Sequence, residues 1–149
     1  MLYLIGLGLD NNEITRKGLN ALEEVEQVYA EFYTNTQNID LEKLPSEVEV
    51  LDREEVEQKD KILKSAKKED TAFLVSGDPL TATTHFDIKQ RAERKGIDVK
   101  VIHAPSIFTS IAETGLNIYK FGRTVKKKKK GEPNSIKNYI EDNDSIGLH

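Results

Sequence analysis

The 149-residue chain contains no cysteine and no tryptophan. Without cysteine there is no disulfide framework, no thiolate nucleophile and no thiolate metal ligand, and a cytoplasmic setting is the simplest expectation. No apolar run approaches the ~18–20 residues that cross a bilayer. The chain opens on a strand-like segment rather than a basic leader, so no secretion signal is expected. Neither sign of charge is in large excess: 22 Lys and Arg against 26 Asp and Glu leave a net −4. That balance argues against a dedicated nucleic-acid binder. The three histidines, His85, His103 and His149, form no spaced metal cluster. No serine stands in a nucleophile-elbow sequence, and no carboxylate pair is singled out for glycosidase-type work.

What is present reads as alternating strands and helices. Leu2-Tyr3-Leu4-Ile5 is continuously apolar, as a strand buried on both faces of a parallel sheet must be. Ile14, Gly18, Leu22 and Val25 then recur near helical period, with Thr15 placed to cap the helix. Residues 27–33 predict a second strand, 34–38 a polar loop and 48–51 a short third strand. Asp52 and Glu55 have capping-box spacing ahead of one charged helix carrying Val56, Leu63 and Ala66. Residues 71–76 form the clearest later strand and run into the turn sequence Gly77-Asp78-Pro79. A helix over about 83–95, closed by Gly96, leads to a strand over 98–103. Pro105 can open a further helix containing Ile107 and Ile111, with Gly115 to close it. Such regular alternation predicts an α/β fold with a mostly parallel sheet flanked by helices, over residues 1–123. Residues 124–149 break the pattern: Lys126 to Lys130 repel one another and bury nothing, and only 136–141 could make a helical turn or two.

In an open parallel sheet, ligands bind beyond the carboxyl ends of the strands. Three loops fall there: Gly6-Leu7-Gly8-Leu9, Ser76-Gly77-Asp78-Pro79-Leu80 and His103-Ala104-Pro105-Ser106-Ile107. Glycine lets the backbone approach a ligand, Asp78 offers a carboxylate, and Ser106 lies near a helix N-terminus with spare N–H groups. The Gly6-x-Gly8 element has Asn11 where a dinucleotide fingerprint wants a third glycine. Glu31, at the end of the second strand, could still hold a ribose, which keeps a nicotinamide-dependent oxidoreductase open. Asp78 also has a plainer reading as a turn and cap residue, and His85 and His103 as surface or loop-packing side chains.

Taken together, the motifs resemble the diphthine synthases. The resemblance is carried by Met1 to Leu9, Ile14-Thr15 with Gly18-Leu19, and Tyr29 to Thr34. It continues through Gly77-Asp78-Pro79-Leu80-Thr81-Ala82-Thr83-Thr84-His85, Ile102 to Ile107, and Gly115 to Gly122. That family belongs to the tetrapyrrole-methylase-like group. The resemblance implies S-adenosylmethionine as cofactor, held between two α/β domains and usually in a homodimer. It also implies a protein substrate, the modified histidine of translation elongation factor 2, whose amino group would be methylated. The family's cofactor contacts in this half fall on Leu9, Asp78, Thr81, Ser106 and Ile107; no catalytic residue and no metal is implied. The lysine run departs from the family, whose sequence there is apolar, and Gly147-Leu148-His149 would lead into a second domain. A truncated, inactive piece of such an enzyme is therefore the alternative expectation.

Overall fold

The computed structural model describes residues 1–33, 39–81, 85–116 and 118–122. Five strands, β1 (Leu2–Gly6), β2 (Gln27–Glu31), β3 (Glu49–Val50), β4 (Thr71–Val75) and β5 (Val99–Ile102), form one sheet in the order β3-β2-β4-β1-β5. Every pairing is parallel, with Leu2 opposite both Thr71 of β4 and Val99 of β5. The expected α/β class with a parallel sheet is thus borne out. The apolar run of β1 has its predicted cause, since all five of its residues are buried.

The strand period of two divides the core into two layers. Leu2, Leu4, Tyr29, Phe73 and Val75 pack on one face with Val56, Ile62, Leu63, Ile88 and Ala92 from the helices α2 (Arg53–Glu57), α3 (Lys61–Ala66) and α4 (His85–Arg94). Tyr3, Ile5, Val28, Ala30, Ala72 and Leu74 pack on the other with Ala21 and Leu22 of α1 (Arg16–Glu24). The connections explain this division. β1 leads across β4 to β2, whereas β4 leads back across β1 to β5. Right-handed crossovers running in opposite directions lie on opposite faces.

Thr15 caps α1 as expected, its Oγ1 accepting the Gly18 N–H at 3.1 Å. Replacing it, Thr15→Ala, is expected to cost about 1 kcal/mol in urea unfolding, because one of the helix's orphan donors loses its partner. The Asp52/Glu55 capping box is also present, the Glu55 N–H donating to Asp52 at 2.8 Å and the Asp52 N–H to Glu55 at 3.0 Å.

Several expected boundaries are corrected. The single charged helix is two, broken where Asp60 takes a left-handed conformation (φ 54°). Arg91 of α4 and Lys95 just beyond its end both hold the Asp60 carboxylate, so a distant element stabilises the break. β2 stops at Glu31 rather than 33, β3 shrinks to Glu49–Val50, and β5 to Val99–Ile102. Val25 is the cap residue of α1 and lies outside the helix. Pro105 precedes the last helix instead of opening it: Ser106 is the N-cap of α5 (Ile107–Ser110), a single turn followed by a 3-10 turn at Ile111–Thr114. Gly115 closes that segment with φ 80°. The expected loop at 34–38, the start of the helix at 83, the lysine run and the 136–141 turn lie outside the described residues. Among the described residues, no helix is long and apolar enough to cross a membrane.

Candidate functional site

The loops after β1, β4 and β5 leave three adjacent strands at the same edge of the sheet. They are joined to one another by backbone as well as by side chains. Gly8 and Gly77 form an antiparallel bridge, the Gly77 N–H donating to the Gly8 carbonyl at 2.7 Å and the Gly8 N–H to the Gly77 carbonyl at 3.2 Å. Both glycines have positive φ, 76° and 72°, a conformation that side-chain-bearing residues adopt only with strain.

Gly6, directly beneath this bridge, has no room for a side chain. A Cβ there would lie 2.6 Å from the Gly77 carbonyl oxygen and 2.7 Å from Ala104 Cβ. Its absence lets the β4 and β5 loops close over the end of β1. At Gly77, by contrast, a Cβ would meet only Ser106 Cβ, at 3.9 Å, so it is the positive φ rather than crowding that calls for glycine there.

The expected cofactor contacts are distributed over these loops. Leu9 follows the bridge and is half-buried, its N–H donating to Glu13 at 2.6 Å. Asp78 is buried, and both of its oxygens are engaged. Oδ1 accepts the Leu80 N–H and the Thr81 hydroxyl, each at 3.0 Å, while Oδ2 lies 2.7 Å from His103 Nδ1. Thr81 therefore secures the Asp78 turn. Ser106 is buried beside Gly77, whereas Ile107 is exposed. In the α5 turn, the Thr109 hydroxyl accepts the Ser106 N–H at 3.0 Å.

Burial pushes the Asp78 carboxyl up. The hydrogen bonds from Leu80, His103 and Thr81 outweigh it, so the net shift is below the ordinary carboxylate value. Asp78 is thus ionised at neutral pH and acts only as an acceptor.

His103 is a surface loop residue as expected, 68% exposed, and in addition it is the partner of Asp78. Nothing in the sequence links two residues 25 positions apart, because the link exists only once β5 lies beside β1 and β1 beside β4. His85 is corrected: it is fully buried at the start of α4, edge-on to Phe73 with ring centroids 5.2 Å apart. Its Nε2 is 3.4 Å from Glu31 Oε1, and Glu31 too is fully buried. Glu31 therefore faces the core and is not available to a ribose, which removes the residue on which the nicotinamide reading depended. Among the described residues, no group of three or more His, Cys, Asp or Glu is gathered to hold a metal ion. Two clefts on the described surface, lined by Tyr29, Lys61 and Ser65 and by Gln27, Glu47 and Glu49, do not touch these loops.

A parallel sheet with glycine-bridged loops at its carboxyl edge is the architecture of a ligand-binding α/β half. The family described as Tetrapyrrole (Corrin/Porphyrin) Methylases matches residues 1–127, and the chain belongs to it. Within that family the resemblance to diphthine synthases is borne out. The chain is 43% identical over 159 aligned residues to a diphthine synthase of Methanococcus maripaludis, covering all of this chain and 62% of the relative. It is 42% identical over 160 to one of Methanocaldococcus jannaschii, with the same coverage. A crystal structure of diphthine synthase superposes with a TM-score of 0.83 at 36% identity, covering 97% of this chain and 60% of that one. The chain spans about 62% of the length of the curated relatives it matches.

Proposed function

We propose that this chain supplies one wall of the S-adenosylmethionine site of a diphthine synthase. The enzyme would methylate the amino group of the modified histidine of translation elongation factor 2. The observation that carries this reading is the convergence of the β1, β4 and β5 loops at one edge of the parallel sheet, joined by the Gly8–Gly77 bridge. A cofactor with an adenosine and an amino-acid portion suits such an edge: Leu9, the small Thr81 and Ser106, and the exposed, apolar Ile107 lie on the three loops that converge there.

When bound, this cofactor supplies an already activated methyl group. The protein then has to hold the amine about 3–3.5 Å from that carbon and in line with the bond that breaks. Asp78, occupied by Leu80, Thr81 and His103, holds the β4 loop in its turn and ties it to the β5 loop. Its part in binding is therefore to shape the loop. The coverage of the relatives leaves the opposite wall to be provided by further sequence. We also read the protein as cytoplasmic, from its lack of cysteine, and as part of a homodimer. The exposed Leu116, Tyr119 and Phe121 after β5 would suit such an interface.

Calorimetric titration of the 149-residue chain with S-adenosylmethionine tests the half-site. Saturable one-site binding is expected, weakened roughly tenfold by Asp78→Ala, which corresponds to about 1.4 kcal/mol. A folded chain with no detectable binding would refute the half-site and favour an inactive fragment.

A further inference from the structure

We infer that His103 is the proton acceptor of the methyl transfer, with Asp78 as the positioning residue that fixes its tautomer; this rests on the function proposed above. The argument begins from hydrogen-bond chemistry. Asp78 is ionised and can only accept, so the 2.7 Å contact requires His103 Nδ1 to carry its proton. A neutral imidazole has one N–H, and with Nδ1 protonated the lone pair is on Nε2. Asp78 is itself held by Leu80 and Thr81, so the orientation of the ring is set by a rigid turn. His103, 68% exposed on the loop after β5 and tied to the loop after β4 through Asp78, thus carries its base at the sheet edge where the three loops converge.

A primary or secondary amine reaches the site largely as its ammonium form at neutral pH, and without a lone pair it cannot attack. Nε2 takes one proton, leaving the nitrogen with its electron pair. That pair forms the new N–C bond while the C–S bond breaks, its electrons remaining on sulfur. The imidazolium is stabilised by the Asp78 carboxylate until it returns the proton to solvent, and the same cycle serves each later transfer that starts from an N–H. Neither the Gly-Asp-Pro turn nor the His-Ala-Pro loop indicates proton removal alone.

The test combines spectra and cofactor titration of the chain with methyl transfer by the chain joined to the remaining part of the enzyme, in the parent and in the His103→Gln and Asp78→Asn variants. Nitrogen-15 spectra of histidine-labelled protein at neutral pH should show His103 protonated on Nδ1 and bare on Nε2, a preference lost in Asp78→Asn. In the titration with S-adenosylmethionine, His103→Gln should bind within about twofold of the parent chain. Methyl transfer to the elongation-factor intermediate should fall at least ~100-fold in His103→Gln, the usual contribution of a positioned acid or base. The rise of rate with pH should disappear in the same variant. Normal binding with an undiminished rate in His103→Gln overturns the inference and leaves the proposed function standing, as does an Nε2–H tautomer in the parent chain. Absence of cofactor binding by the folded parent chain refutes the proposed function itself, and the role of His103 with it.

Discussion

Gly6→Ala is expected to destabilise the chain by about 3 kcal/mol or more and to pull apart the site it supports. The added methyl would sit 2.6 Å from a backbone carbonyl oxygen and 2.7 Å from Ala104 Cβ. Overpacking of this kind typically costs about 1–3 kcal/mol, and more where the obstacle is backbone that cannot rotate away. Pro79 Cδ, at 3.0 Å, closes the third side. Relief would require the β4 and β5 loops to separate, and it is across that seam that Asp78 meets His103. Urea unfolding should show a lowered midpoint with an unchanged slope. Histidine spectra should show His103 released from Asp78 even under conditions where the variant remains folded. A Gly6→Ala chain of parental stability would mean that the loops are not locked over β1.

The second large effect is on the acid side of the stability profile. Burial pulls His85 down to about 4 from its ordinary 6.5, with the charge of Glu57 pulling weakly the other way. Glu31, 3.4 Å away, is as wholly buried as the ring, and charging the imidazole in that interior is costly. Unfolded chains take up this proton as pH falls below about 6.5, whereas the folded chain resists until about 4. Stability contributed by the neutral, buried ring is therefore complete above pH 6.5 and is lost progressively between 6.5 and 4. At about 1.4 kcal/mol per pH unit the loss is about 3 kcal/mol. Unfolding free energies of the parent chain and His85→Gln across that window provide the check. The variant's profile should be flatter by that amount, whatever its absolute stability. Parallel profiles would show that His85 is not the group responsible.

How much of this was legible in the sequence depended on whether the cause was local. The strands declared themselves because a parallel strand covered on both faces must be apolar almost throughout, and residues 2–5 and 72–75 are apolar. Thr15 and the Asp52/Glu55 box were readable because a cap and its helix are neighbours along the chain. The break at Asp60 was not. No glycine or proline marks it, and the cations that hold it, Arg91 and Lys95, arrive from 31 and 35 residues away. Of the site, the three loops could be found from strand ends and turn residues. The Asp78–His103 pair and the burial of His85 against Glu31 follow from the strand order β3-β2-β4-β1-β5, which residue periodicity does not encode.

That strand order also bears on how the chain is made. β1 precedes the strands it pairs with: it has no neighbour until β4 at Thr71–Val75 has been synthesised, and its other edge stays open until Val99–Ile102 follows. Until then this wholly buried strand is an unpaired segment with both edges available to other molecules. Contacts so distant in sequence slow folding, because long loops must close before the pairing rewards them. A nascent chain halted before Thr71 should be a strong client for chaperones that hold extended apolar segments, and one halted after Ile102 should be released.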